Sequence, residues 1–302
     1  MSRHSAPGTR QVLVHAALIA VAILFSLNYI ISKLAMHAFA PLAFAYLRVA
    51  GSAAILYLLS GERDAPPLAP GDSWRIVLYC LLGVVLNQSL FLGGLALSSA
   101  HVAAILMTTI PLFALGGAIV AGRERATPAR IAGIALAGAG ALLVVGGEGL
   151  EGARKSLIGD LLLLANALCY ALYLVLAKPI MARISARRLI GRMFGLGALL
   201  MLPVSGMSLA RQQWTTIPPR AWIALLLVIA GPTVAAYLLN AWALRHTDSS
   251  LVATYTYAQP VITTVLAAIF LGESIGPVAV AAAMLIFAGV YLAGRPAPPA
   301  GL

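Results

Sequence analysis

The chain has 302 residues, of which 61% are hydrophobic and only 10% charged. A soluble globular domain carries about a quarter charged residues, so this composition excludes one and describes a polytopic membrane protein. The net charge of +11 raises the question of nucleic acid, but the basic residues are distributed by loop rather than gathered in one patch, and nucleic-acid binding explains them poorly.

Apolar runs long enough to cross a ~30 Å hydrocarbon core centre on residues 12–34, 41–59, 75–97, 101–121, 129–146, 157–177, 189–209, 221–243, 250–271 and 277–294. The first follows Arg3 and Arg10, as a signal peptide would. Its apolar stretch exceeds the usual ~7–15 residues and carries Asn28 and Lys33, so it reads as a retained helix. Phe25, Asn28 and Ser32 share one of its faces. Lys33 ends the span, where a lysine snorkels or caps a helix C-terminus. Arg48, early in the second run, is open to two readings, a structural pair or a gate contact.

The third run aligns Asn87, Phe91 and Gly94, and the fourth contains Pro111. The fifth has Gly133, Ala137 and Gly140 at small-xxx-small spacing, as does Ala281 to Gly289 in the tenth; such spacing permits close helix approach, within one chain or between two. The sixth opens at Asp160 and aligns Asn166, Tyr170, Tyr173 and Ala177. The eighth aligns Thr233, Tyr237 and Asn240, and the ninth Tyr255 with Gln259, followed by Pro260. Tyr29, Tyr46, Tyr57 and Tyr79 receive no role, because tyrosines are common at membrane interfaces. Cys80 and Cys169 lie inside spans at no disulfide or metal spacing, and neither a metal nor a cofactor is expected.

The two halves repeat. Pro111, Glu124, Pro128 and Gly140 recur at a constant offset as Pro260, Glu273, Pro277 and Gly289, and the aromatic-to-lysine interval of "FSLNYIISK" recurs in "YALYLVLAK". Residues 1–150 and 151–302 are therefore expected to be two five-helix units. Five crossings are an odd number, so the second unit enters from the opposite face, as an inverted repeat does in secondary transporters. The expected fold is all-α, with ten transmembrane helices in two inverted repeats around a central cavity. Pro111 and Pro260 break their helices beside that cavity. Thr127-Pro128 and Gly276-Pro277 read as an N-cap and a first-turn proline, and Glu124 and Glu273 as acids favoured by the helix that follows each. Arg123, Arg125 and Arg130, with Arg183, Arg187, Arg188 and Arg192, place the positive loops on one side. Both termini are then expected in the cytoplasm.

"SLNYIISKLA", "AYLRVAGSAAIL", "LALSSAHVAAILMTTIPLFALGGAIVAGRERATPARIAGIALAGAGALLV" and "TYAQPVITTVLAAIFLGESIGPVAVAAAMLIFAGVYLA" resemble the EamA-type drug/metabolite transporter superfamily over nearly the whole chain. The resemblance implies a ten-helix exporter in a bacterial-type cytoplasmic (inner) membrane. The tyrosine-rich sixth, eighth and ninth helices look most like the branch that exports aromatic and other neutral amino acids. The first-helix aromatic that the family commonly carries as tryptophan is Phe25 here.

The substrate is expected to be a small neutral or zwitterionic metabolite. Asn28, Asn87, Asn240 and Gln259 offer donors and acceptors to an ammonium and a carboxylate, while Phe91, Tyr170, Tyr173 and Tyr237 form an apolar wall on which a ring can stack. The span interiors lack acids, so no intramembrane carboxylate is expected to be obligatory. The expected partners are the substrate and the lipid bilayer, with monomer and homodimer both open. Lipophilic drugs are the alternative cargo. A membrane-embedded enzyme would need a nucleophile with a base, a metal set or a carboxylate pair, whereas His15, His101 and His246 are scattered.

Overall fold

Apolar runs in lipid must satisfy their backbone groups internally, and helices are the structure that does so within one segment. A computed structural model of the chain describes residues 7–60, 71–122, 124–146, 153–181, 186–244, 246–247, 255 and 257–294. Ten apolar helices run through it: α1 (Pro7–Ala35), α2 (Pro41–Ser60), α3 (Asp72–Leu97), α4 (Ala100–Val120), α5 (Pro128–Gly146), α6 (Ala153–Met181), α7 (Ala186–Arg211), α8 (219–244), α9 (Ala258–Leu271) and α10 (Pro277–Ala293). Eight are long and apolar enough to cross a membrane, and α9 and α10 are shorter. The sequence-predicted start of the ninth span, at 250, lies outside the described residues. α1 and α6, the first helix of each half, are each 29 residues long, roughly 44 Å at 1.5 Å per residue, and so overreach the hydrocarbon core.

Local chemistry sets the helix starts. Pro128 and Pro277 open α5 and α10, where a missing N–H costs nothing. Thr127 Oγ1 accepts the Arg130 amide at 3.3 Å, and Gly276 is the N-cap of α10. Ser99 caps α4 by accepting from the Val102 amide. α4 is interrupted between Met107 and Ile110, just before Pro111. There the Thr108 and Thr109 hydroxyls donate to the carbonyls of Ile105 and Leu106 at 2.6 and 2.7 Å, beside the amides of the same two residues, which reach those carbonyls at 3.1 and 3.0 Å.

The halves pack by exchange. α1 lies on α8 and α9, and correspondingly α6 lies on α3 and α4. α2 meets α7, its counterpart, and α5 meets α10. The last pair approaches through glycine: a Cβ on Gly133 would stand 2.5 Å from the Gly289 carbonyl oxygen, and one on Gly289 2.5 Å from that of Gly133. The small-residue stripes thus join the two halves of one chain. A second glycine contact, Gly94 on α3 against Gly159 on α6, brings the amide-bearing faces of those helices together.

Each half also contains a π-helical segment at the same place in its third helix, Leu81–Val85 in α3 and Ile229–Ala235 in α8. Both face the centre. Gly83 is so close to α6 that a Cβ there would meet the Tyr173 ring at 2.8 Å, and Gly51 of α2 likewise takes the Ile229 side chain against its Cα. The outer surface is apolar, with Leu58, Val120, Leu142, Ile269 and Tyr291 exposed around the bundle, as lipid contact requires.

Candidate functional site

Between the halves, polar and aromatic side chains of α1, α2, α3, α6 and α8 converge. Asn87 Nδ2 on α3 donates to Asn166 Oδ1 on α6 at 2.7 Å, and Asn166 Nδ2 in turn reaches the Met107 sulfur in the break of α4 at 3.1 Å. Gln88 Nε2 donates to Asn87 Oδ1 at 3.1 Å. One turn further along α6, Tyr170 stands 5.6 Å from Tyr173 between ring centroids, and Tyr173 stands 6.5 Å from Tyr79. The Tyr170 phenol also meets that of Tyr237 on α8. Tyr237 takes Phe25 of α1 and Phe194 of α7 edge-on at 6.2 and 6.1 Å. A continuous wall of rings therefore runs from α3 through α6 to α8 and α1, with the Asn87–Asn166 amides at its border.

The remaining sequence-predicted residues lie around this wall with other partners. Phe91 is buried and packs edge-on to Tyr29 at 5.4 Å. Asn28 is buried, and its Oδ1 accepts from Ser32 within the same helix. Gln259 is bound through its main chain, whose carbonyl accepts from Ser26 Oγ at 3.2 Å. Asn240 is half-buried on α8 beyond Tyr237 and, among the described residues, makes no hydrogen bond. Pro111 lies next to the break in α4, and Pro260 sits in the first turn of α9.

Sequence reasoning passed over several members of this cluster. Tyr29 and Tyr79, set aside as interfacial, are both buried. Phe194 carried no polar companion to mark it. Arg48 is inside the bundle, 3% exposed, with Nε donating to Thr233 Oγ1 at 2.9 Å. The π segment of α8 explains that contact. Pro232 has no N–H to offer Val228, so the Thr233 hydroxyl donates to the Val228 carbonyl at 2.8 Å instead, leaving its oxygen free to accept from Arg48.

A second polar assembly closes one end of the bundle, where α1 ends and α4 begins. Glu273, in the connection between α9 and α10, does not sit on the helix that follows it. Its carboxylate lies on the N-terminus of α4, with Oε1 accepting the Ala100 amide at 2.8 Å and Oε2 the His101 amide at 3.2 Å. Orphan amides at a helix start and the helix dipole both favour an anion there. His101 Nδ1 donates to Oε2 at 2.7 Å, and Lys33 Nζ donates to Oε1 at 2.9 Å and to the Ser98 carbonyl at 2.6 Å. Ser98 Oγ continues the chain to Asp160 at the start of α6. Burial pushes the Glu273 carboxyl up. Hydrogen bonds from His101, Ala100 and Lys33, together with the Lys33 charge, outweigh that effect and hold its pKa at about 2. Lys33, expected to snorkel or to cap a helix C-terminus, and His101, one of the histidines that look scattered in the sequence, are thus partners of one carboxylate. Glu124, the repeat counterpart of Glu273, follows the sequence expectation. It stays exposed and pairs with Arg130 at 3.2 Å in the first turn of α5.

Comparison with known proteins agrees with this duplicated architecture. The family model described as "EamA-like transporter family" matches twice, over residues 13–146 and 157–295. An "Uncharacterized transporter" of Archaeoglobus fulgidus is 27% identical over 92% of this chain and 96% of its own length. The "Probable amino-acid metabolite efflux pump" of Salmonella typhimurium is also 27% identical, over 90% of this chain and 91% of its own. A solved crystal structure with 22% identity superposes with a TM-score of 0.63, covering 93% of this chain and 96% of the other, and so shares the fold. The chain belongs to the EamA-like transporter family and is a multi-pass membrane transporter.

Proposed function

We propose that the protein exports small neutral or zwitterionic metabolites, foremost amino acids with aromatic or large neutral side chains, by alternating access. The observation that carries this reading is the wall of rings at Tyr173, Tyr170, Tyr237 and Phe25, bordered by the Asn87–Asn166 amide pair. Burying amides and phenols in a bilayer is costly unless they find polar partners. A ligand with one apolar ring and small polar groups satisfies both halves of such a surface, and ring stacking adds roughly 0.5–1.5 kcal/mol beyond area burial. The printed name of the Salmonella relative, an amino-acid metabolite efflux pump, supports the same class. Lipophilic drugs would need less of the amide content.

The units 1–150 and 151–302 would be the rocking bodies, related by an axis in the membrane plane. The placement goes with both termini in the cytoplasm and a cytoplasmic (inner) membrane of the bacterial type, and the Arg-rich loops support it. The Glu273 network would then close the outer end. The test is a panel of labelled phenylalanine, threonine, lysine, a nucleoside and a cationic dye, with efflux followed from proteoliposomes holding the purified protein. Phenylalanine is expected to leave fastest and the nucleoside to be retained. Movement of the dye alone would replace this reading with drug export.

A further inference from the structure

We propose that Arg48 binds the carboxylate of the transported molecule and is the cationic end of a site whose other walls are neutral. The inference deepens the substrate reading above and rests on the ring cluster being the binding surface. Arg48 is 3% exposed within α2, and among the described residues Nε alone of its donors has a protein partner, Thr233. Nη1 is buried and finds no hydrogen-bond partner among them. Among the described residues no carboxylate pairs with it, although Lys33, Arg75, His101 and Arg130 all have one.

A guanidinium cannot relieve this by losing its proton. An uncompensated cation among membrane helices is costly, and where one persists it marks a substrate path or a counter-ion. The planar fork of donors matches a carboxylate two bonds at a time. A purely structural arginine would be explained by its bond to Thr233, and Nη1 would remain without a function. Position completes the case. Thr233, the partner of Arg48, is one turn from Tyr237 on α8, and Tyr237 is the ring at which the α1, α6 and α7 aromatics meet. An acid held at Arg48 therefore lies beside the aromatic wall, where the rest of an amino acid would pack.

The test is calorimetric binding to the full-length protein in lipid nanodiscs, using two acid/amide pairs: phenylalanine with phenylalaninamide, and phenylacetate with phenylacetamide. A charge-assisted bond predicts that the wild type prefers each acid by roughly ten- to a hundredfold. Arg48→Gln should erase the preference, bringing the affinity for each acid down to about that for its amide, and Arg48→Lys, a charge without the fork, should keep part of it. If phenylacetate shows the preference and phenylalanine does not bind, the amino-acid reading fails and the Arg48 assignment stands. A wild type with no acid preference in either pair overturns the assignment, as does Arg48→Gln retaining it. Should Arg48→Gln not fold, the wild-type pairs and Arg48→Lys decide the matter.

Discussion

Asn87 and Asn166 illustrate what a single side chain contributes here. Each is polar in an apolar span, and each is tolerated because the other answers it at 2.7 Å. Asn87→Ala leaves the Asn166 oxygen without its donor and should cost about 1–3 kcal/mol. The double replacement by alanine should cost less than the sum of the two single changes, a coupling that a double-mutant cycle in reversible denaturant unfolding would measure; strict additivity would show that the bond contributes nothing. Glu273 acts differently, through charge. Its carboxyl pKa is held at about 2 against an ordinary 4.5, so its stabilising contribution is complete above pH 4.5 and is lost as pH falls through 4.5 towards 2. Thermal stability of the wild type should fall across that window more than that of Glu273→Gln. Equal slopes would show that the carboxylate contributes no net stabilisation. The amide and aromatic stripes were legible in the sequence because they recur at helical spacing. The Lys33–Glu273 and His15–Tyr255 contacts were not, since each joins residues 240 apart and no local pattern links such partners.

At the scale of the helix, the α5–α10 seam depends on the absence of side chains. A Cβ on Gly289 would face the Gly133 carbonyl at 2.5 Å and the Ala137 amide nitrogen at 2.7 Å, both backbone atoms that cannot rotate away. Gly289→Ala should therefore separate the helices and destabilise by about 1–3 kcal/mol. Gly138→Ala, on the same α5 helix but with nothing within 4 Å, should be neutral or stabilising by up to about 1 kcal/mol. Melting both variants side by side checks the contrast, and equal effects would remove the seam as its cause. Small-residue spacing announced close packing here, although only the structure assigned it to the two halves of one chain. The π segments were not legible. Hydropathy distinguishes apolar from polar but carries no mark of one extra residue in a turn, and Pro232 alone does not announce one. In the structure it frees the Val228 carbonyl, recruits Thr233 and sets the height at which Arg48 enters.

Across the whole molecule, the two repeats differ at their matched glutamates. Glu273 is tied to α1 and α4 and is nearly enclosed, while Glu124 is 43% exposed and, among the described residues, its carboxylate is held by Arg130 alone. Among the described residues, one end of the bundle is therefore fastened by contacts that Glu124 does not make. Loss of the Glu273 charge should loosen the fastened end: in Glu273→Gln, a cysteine placed at Ser98 should react faster with a membrane-impermeant thiol reagent than it does with Glu273 intact. Ten helices and an internal duplication were readable because span length and proline register survive in composition and spacing; which residues meet at the centre depended on how the repeats face each other. The proposal that the ring wall and the polar residues around it form the substrate site is tested most directly by the initial rate of labelled phenylalanine efflux from proteoliposomes containing wild type, Asn28→Ala, Tyr173→Ala or Gln259→Ala at matched protein content. A large loss of rate in Tyr173→Ala, with smaller losses in the other two, is the predicted result, and three rates equal to wild type would contradict it.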